Sequence, residues 1–391
     1  MKLIKNNYIS HNYNLKHIAF IVLLLVFFSR GWNYVAWDFI FPRRYYTIVG
    51  LIFFLMILFI KNKNANRYCN YIKYWIFAPL ITVCLTPLFG GDFFNEIGAT
   101  YSWTVLASLY FLFHKIKISE QNLMYAFLIF ALFSFLIQIF QQFFPEKAVF
   151  GILKYDDLYG RVAEIRNGLY RFRLGVHLVV LFCLFYALTL VKKSINIYST
   201  LLLSIFMVSI YLDLTRQVLI AVALTIVLFL AKEKQYKIIF TLVPIICLAL
   251  YLYWNELFGS LISDYKDNTY TTDIRSECME FMLNKIVSNP LAFFFGYGHI
   301  PEETVWMKKG YYLSDIGFIG QAVYYGIIWI VVYFLVSWKL FVSKCPLYVK
   351  YFVLCTGLDS IMIFPYYDQL SMFVWISIIY LTSINLNSKK I

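Results

Sequence analysis

Apolar runs alternate with short polar breaks along the whole chain. Several runs exceed the ~18 residues expected of a helix that crosses a bilayer. The pattern predicts helices over 18–36, 45–60, 74–89, 97–114, 122–143, 174–191, 196–214, 216–231, 237–254, 312–338, 348–364 and 367–384. The expected fold is all-α, a single polytopic membrane domain over 1–391 with about twelve transmembrane helices. Arg30, Asn33 and Asp38 interrupt or border the first helix. Met1 to His17 is polar, and no small-residue cleavage site follows the run from Ile18. The first run therefore reads as a retained span and not a cleaved signal.

Two polar stretches between the runs are long, 145–173 and 255–311, and both are expected outside the membrane. In the second, Asp273 is placed to cap a helix with the apolar face Ile274, Cys278, Phe281, Met282 and Ile286. Asn289-Pro290 would end it. Such an amphipathic helix suits a membrane surface. No tandem repeat, low-complexity tract or soluble domain breaks this order.

Composition agrees. Of the 391 residues 61% are hydrophobic and only 14% are charged, against roughly 25% charged in soluble domains. A core that large lacks the polar surface water would require, and lipid removes the requirement. The charge has a direction. With the N-terminus in the cytoplasm, 19 of the 34 Lys and Arg fall in cytoplasmic loops, with only Glu120 and Glu233 of the 21 acids beside them. That is the positive-inside pattern, and it puts both termini in the cytoplasm. The net charge of +13 is thus a topology signal and not a nucleic-acid footprint. The seven Cys form no disulfide framework, since Cys84, Cys183, Cys247 and Cys355 lie inside apolar runs and Cys278 is alone outside.

Arginine and lysine sort by side. Among the cytoplasmic basic residues only Arg67 is Arg. Arg30, Arg43, Arg44, Arg161, Arg166, Arg171, Arg173, Arg216 and Arg275 all fall on the other side. Lysine suffices to hold a loop inside, whereas arginine's planar fork grips phosphate or carboxylate. The external face therefore reads as anion-binding, the alternative being that these arginines pair with external acids. Arg216 is the sharpest residue. It sits in Asp213-Leu214-Thr215-Arg216-Gln217, a tight charged turn between two spans, where charge is costly and defaults to function. Its structural partner would be Asp213 and its functional partner a lipid-linked phosphate. Arg171 and Arg173 end the first long loop. A helix beginning near Arg173 would put it on one face with His177. That pair suits a diphosphate, and Arg171 also suits interfacial anchoring with Tyr170.

Gly296-Tyr297-Gly298-His299 reads as a flexible turn presenting an imidazole, either a general base or simple surface. Asp315, at the start of the next span, is a base or a helix cap. No His/Cys/Asp cluster has metal-ligand spacing, and Asp156-Asp157 is only a weak acidic pair. No nucleotide-binding loop is present, so neither a metal nor another cofactor is expected.

The order of these features resembles the bacterial O-antigen polymerase and O-antigen ligase superfamily. The likeness covers roughly 165–330. It rests on Arg171-Phe172-Arg173-Leu174-Gly175 entering a span and on Leu214-Thr215-Arg216-Gln217. It also rests on Arg275 before Asn289-Pro290 and Gly296-Tyr297-Gly298, then Asp315-Ile316-Gly317-Phe318-Ile319-Gly320 and Tyr325-Gly326-Ile327. The resemblance implies a metal-independent glycosyltransferase of the bacterial cytoplasmic membrane. It would act on polyprenyl-diphosphate-linked (undecaprenyl diphosphate) glycans at the external face, with a chain-length regulator protein as a further partner. It implies that Arg173, Arg216 and Arg275 grip the donor diphosphate; from the sorting of basic residues, Arg171, His177, Arg166 and Arg161 are expected to line the substrate. The base is His299 or Asp315. In the ligase branch a His stands just before the last motif, where this chain has Ser314-Asp315. Polymerase is thus the first expectation, and a ligase or a polysaccharide flippase the alternatives.

Overall fold

A computed structural model describes residues 14–34, 36–41, 68–151, 164–166, 169–213, 216–232, 269–360 and 369–388. The fold is all-α apart from one small hairpin. In chain order the helices are α1 (Leu15–Phe28), α2 (Cys69–Leu85), α3 (Phe93–Ile116), α4 (Glu120–Phe143), α5 (His177–Lys193), α6 (Ile197–Leu212) and α7 (Arg216–Lys232). They continue with α8 (Thr269–Val287), α9 (Pro290–Phe295), α10 (Glu302–Lys308), α11 (Gly317–Val342), α12 (Leu347–Asp359) and α13 (Gln369–Ser388). Strands β1 (Glu164–Arg166) and β2 (Leu169–Arg171) pair antiparallel, with Ile165 opposite Tyr170. Each expected helix that falls on described residues overlaps one of these, and 45–60 and 237–254 lie outside them. Among the described residues three stretches are long and apolar enough to cross a membrane: Cys69–Phe89, Glu120–Phe143 and Leu313–Val342. Several other apolar helices are shorter.

Helix starts follow local chemistry. Asp92 caps α3 by accepting from Asn95 N–H at 2.7 Å, Ser119 caps α4, and Asn196 makes a capping box with Ser199 on α6. Asn289 caps α9, with Pro290 at its first position. At the bundle centre lies α13, where 370–383 is buried throughout. A helix apolar on every side belongs in a core. Phe373 meets Phe28, Phe113 and Phe127 there. The outer faces are apolar too, with Phe133, Leu136, Leu201, Ile220 and Trp338 exposed.

Helix ends meet in two sets. Tyr348 bonds Glu120, Ser383 meets His114, and Lys339 lies over Tyr71 at one end. At the other end Glu96 meets His299, Arg171 meets Asp213, and Phe318 N–H donates to Ser360 O. Chain direction alternates as short connections require.

Four local expectations change. The first helix does not run to residue 36. It stops at Phe28, and Arg30 to Asn33 form a left-handed turn with φ near +55°, costing roughly 1–2 kcal/mol per residue. Tertiary bonds hold it: Trp32 stacks on Phe130 and donates to Ser134 at 2.7 Å, and Asn33 donates to Arg173 O at 2.7 Å. Second, Asp273 is not a cap, because α8 begins at Thr269 and Asp273 lies one turn inside. Third, the expected stripe on α8 faces protein. Cys278, Met282 and Ile286 are buried against α9 and α11, while Phe281 is exposed.

Fourth, the segment after Asn289 does not stay on the surface. It dips between α2 and α11, where Thr82 of α2 donates to Phe295 O at 2.6 Å. There α11 is broken at Gly326 (φ 78°, ψ 171°). The break frees carbonyls, and the dipping segment supplies donors: Tyr297 N–H to Val323 O at 2.7 Å and Gly298 N–H to Tyr324 O at 3.0 Å. The approach is too close for side chains. A Cβ at Gly326 would lie 2.1 Å from Phe294 O, and one at Gly296 2.2 Å from Tyr324 O. Gly326→Ala is therefore expected to lose at least about 1–3 kcal/mol from backbone strain alone. Gly98→Ala, with open space around it, should melt like the parent. Thermal unfolding of the purified proteins in detergent checks this, and equal melting of Gly326→Ala and the parent would contradict the packing described.

Candidate functional site

The docked segment delivers His299 to a buried carboxylate. Glu96, in the first turn of α3, has a fully buried side chain. Its Oε2 accepts the backbone N–H of His299 at 2.6 Å and lies 3.0 Å from His299 Nδ1. Its Oε1 accepts from Thr100 Oγ1 at 3.0 Å. Tyr324 stacks on the imidazole with ring centroids 4.4 Å apart, and its hydroxyl donates to Glu303. Gly298 (φ +68°) must be glycine, since a Cβ there would sit 2.2 Å from Thr86 Oγ1 and 2.9 Å from Glu96 Oε2. His299 is thus half-buried and held by Glu96 and Tyr324, not on a flexible turn as the two glycines suggested. Burial works against the charged imidazole. The hydrogen bond and charge of Glu96, with Glu303 beyond, outweigh it and hold the His299 pKa above its ordinary value.

Two expected site residues are brought together nearby. Arg275 Nη2 lies 3.6 Å from Asp315 Oδ2, both half-exposed. Asp315 sits in the single 3-10 turn Leu313–Ile316 ahead of α11 and makes no cap hydrogen bond to that helix. The reading of Asp315 as a cap is therefore corrected: Gly317 (φ +52°) turns the chain between it and the helix.

Arg171 and the backbone of Arg216 lie at the junction of α6 and α7. Arg171 closes β2 and donates from Nε to Asp213 O at 3.2 Å. Asp213 ends α6 and Arg216 begins α7, as the tight turn predicted. The Arg216 side chain lies outside the described residues, as do Arg161, the side chain of Arg166 and Asp156-Asp157. Arg173 is exposed and lies ahead of α5, which starts only at His177. The two do not share a helix face, because Gly175 (φ +72°) separates them. Arg173 instead donates its N–H to Gly151 O at 2.8 Å. Among the described residues no three His, Cys, Asp or Glu side chains gather as a metal ion would need.

Sequence reasoning missed two acids. Glu96 precedes an apolar run and looks like an ordinary charge at a helix start. Its only signal is Thr100 four residues on, preceded by Gly98 and Ala99. Asp359 is 5% exposed, and its Oδ1 has no hydrogen-bond partner among the described residues. His177 and Asp213 lie close enough to act on its carboxyl electrostatically, at the end of the helices where Arg171 meets Asp213. Comparison with protein-family models, curated proteins and solved structures finds no match for this chain. The chemistry rests on the geometry.

Two outcomes are expected. A raised folded-state pKa means that the His299–Glu96 contribution is complete below the ordinary value of 6.5 and is lost as pH rises through the higher folded value. The Tm of the purified protein should fall over that window, and His299→Gln should flatten the fall. Identical pH slopes would remove the ion pair. The half-exposed Arg275–Asp315 pair contributes about 0–1 kcal/mol. Asp315→Asn should therefore leave the Tm nearly unchanged, and a drop of several degrees would show a stronger bond than the geometry allows.

Proposed function

We propose that the chain is a polytopic enzyme of the bacterial cytoplasmic membrane, with about twelve spans and cytoplasmic termini. It joins lipid-diphosphate-linked oligosaccharide repeat units on the external face. One observation carries this reading. An imidazole backed by a buried carboxylate lies at the same end of the helices as Arg171, Arg173 and Arg275. A base and an anion-binding set are what glycosyl transfer from a diphosphate needs. The acceptor hydroxyl oxygen bonds to the anomeric carbon of the donor. The carbon–oxygen bond to diphosphate breaks, and its electron pair leaves with the polyprenyl diphosphate. Arginines, Arg216 foremost, match the charge that develops, which is the largest source of rate. His299 takes the hydroxyl proton. Asp315 is the weaker candidate for base because it is engaged with Arg275. The donor is the growing chain and the acceptor a new repeat unit, with a chain-length regulator as a partner. The product belongs to the class of O-antigen, capsule or exopolysaccharide glycans.

A transporter is the second reading, favoured by the break in α11, since discontinuous helices often line transport sites. Against it, the charged groups sit at helix ends. Transfer to a lipopolysaccharide core, the ligase reaction, would use the same donor chemistry.

Arg216→Lys keeps the charge and loses the bidentate fork. In a deletion strain complemented with this variant, long-chain glycan is expected to fall by about 10²–10³ while the protein inserts at the parent level. Asp213→Asn with Arg216→Gln should be inactive as well. Full-length glycan from either would remove Arg216 from the site. Loss of long chains with the single repeat retained supports polymerisation. Loss of all surface glycan on deletion would favour transfer to a core or transport.

A further inference from the structure

We infer that Glu96 is a positioning residue that fixes the tautomer of His299, holding the proton on Nδ1 and turning the Nε2 lone pair toward the acceptor hydroxyl. This rests on the glycosyl-transfer reading for its purpose, but not for its geometry. A carboxylate offers only acceptor sites. Glu96 Oε2 receives the backbone N–H of His299 at 2.6 Å, and the same oxygen lies 3.0 Å from Nδ1. Two lone pairs cannot face each other at that distance, so Nδ1 carries a proton whether the ring is neutral or charged. In the neutral ring Nε2 is then the basic atom.

Two-point capture by one oxygen also removes rotation. The backbone bond sets where the residue sits, and the ring bond sets its χ angles. Thr100 holds the other carboxylate oxygen, and the Glu96 side chain is wholly buried, so the carboxylate cannot swing away. The stacked Tyr324 ring closes one face of the imidazole, and its hydroxyl is committed to Glu303. Nε2 makes no hydrogen bond to the described residues, and the side chain is 37% exposed, so this nitrogen is the one a hydroxyl can reach. When Nε2 takes the proton, the resulting imidazolium lies against the Glu96 charge, which stabilises it as the reaction proceeds. A positioned general base typically contributes about 10²–10⁴-fold, and Glu96 holds His299 ready for that role.

The test has one arm that needs no activity. The full-length protein, labelled with ¹⁵N-histidine and purified in detergent, is titrated by NMR, the His299 signal being assigned by its loss in His299→Gln. The neutral ring is expected to be the Nδ1–H form. A neutral Nε2–H form would overturn the inference, whatever the glycan shows. Glu96→Gln should lower the His299 pKa and cut long-chain glycan by up to about 10²–10⁴-fold, and Glu96→Asp should restore part of both. If Glu96→Gln does not fold, Thr100→Val, which keeps the carboxylate but frees Oε1, should shift both readouts in the same direction by less. An unchanged tautomer and pKa in the folded variants would sink the positioning role. A shifted pKa with unchanged glycan would leave the positioning intact and refute His299 as the base.

Discussion

A helix that breaks among apolar side chains leaves carbonyls that water cannot reach, and another part of the chain must supply the donors. At Gly326 this requirement organises the site end of the molecule. Val323 and Tyr324 lose their helical partners, and the Tyr297 and Gly298 amides replace them. Those amides can arrive only because Gly296, Gly298 and Gly326 let two backbones touch. Once the segment is docked, His299 has one place to go, and Glu96 is waiting there with its carboxylate already buried. The break in α11, the dip of α9 and the histidine–carboxylate pair are one arrangement with a single cause.

The same end of the bundle shows two electrostatic regimes. Glu96 is sealed from solvent, and its charge is matched at short range by the imidazole, the backbone amide and Thr100. Arg275 and Asp315 sit nearby but half-exposed and 3.6 Å apart, where solvent screens most of their attraction. The first pair is rigid and the second can open. An arginine that exchanges a weakly held acid for a more highly charged anion gives up little. A histidine gripped at two points does not reorganise when its proton moves.

Much of the helical order was legible because hydrophobic runs and polar breaks are strong local signals. The start of α7 at Arg216 and the end of α8 before Asn289-Pro290 followed from charge and from proline chemistry. What escaped the sequence depended on distant partners. Left-handed turns at Arg30, Trp32 and Asn33 are disfavoured for side-chain-bearing residues, and contacts with Phe130, Ser134, Phe150, Gly151 and Arg173 hold them. Glu96 lies 203 positions from His299, so no local pattern could pair them. Gly296 and Gly298 suggest flexibility when read alone. In the fold they mark close backbone contact, because a missing side chain permits a tight fit as readily as it permits motion.

The burial of α13 bears on how such a chain is made. Synthesis runs from the N-terminus, so α1 through α12 leave the ribosome before the helix that fills the space among them. Until α13 arrives, Phe28, Phe113 and Phe127 lack the Phe373 ring they close upon. The earlier helices must therefore wait in an unfinished grouping, their inward faces covered by lipid, solvent or a chaperone. Assembly is then completed by threading one apolar rod into a gap, and the surrounding helices close on it only after α1 through α12 have all been made.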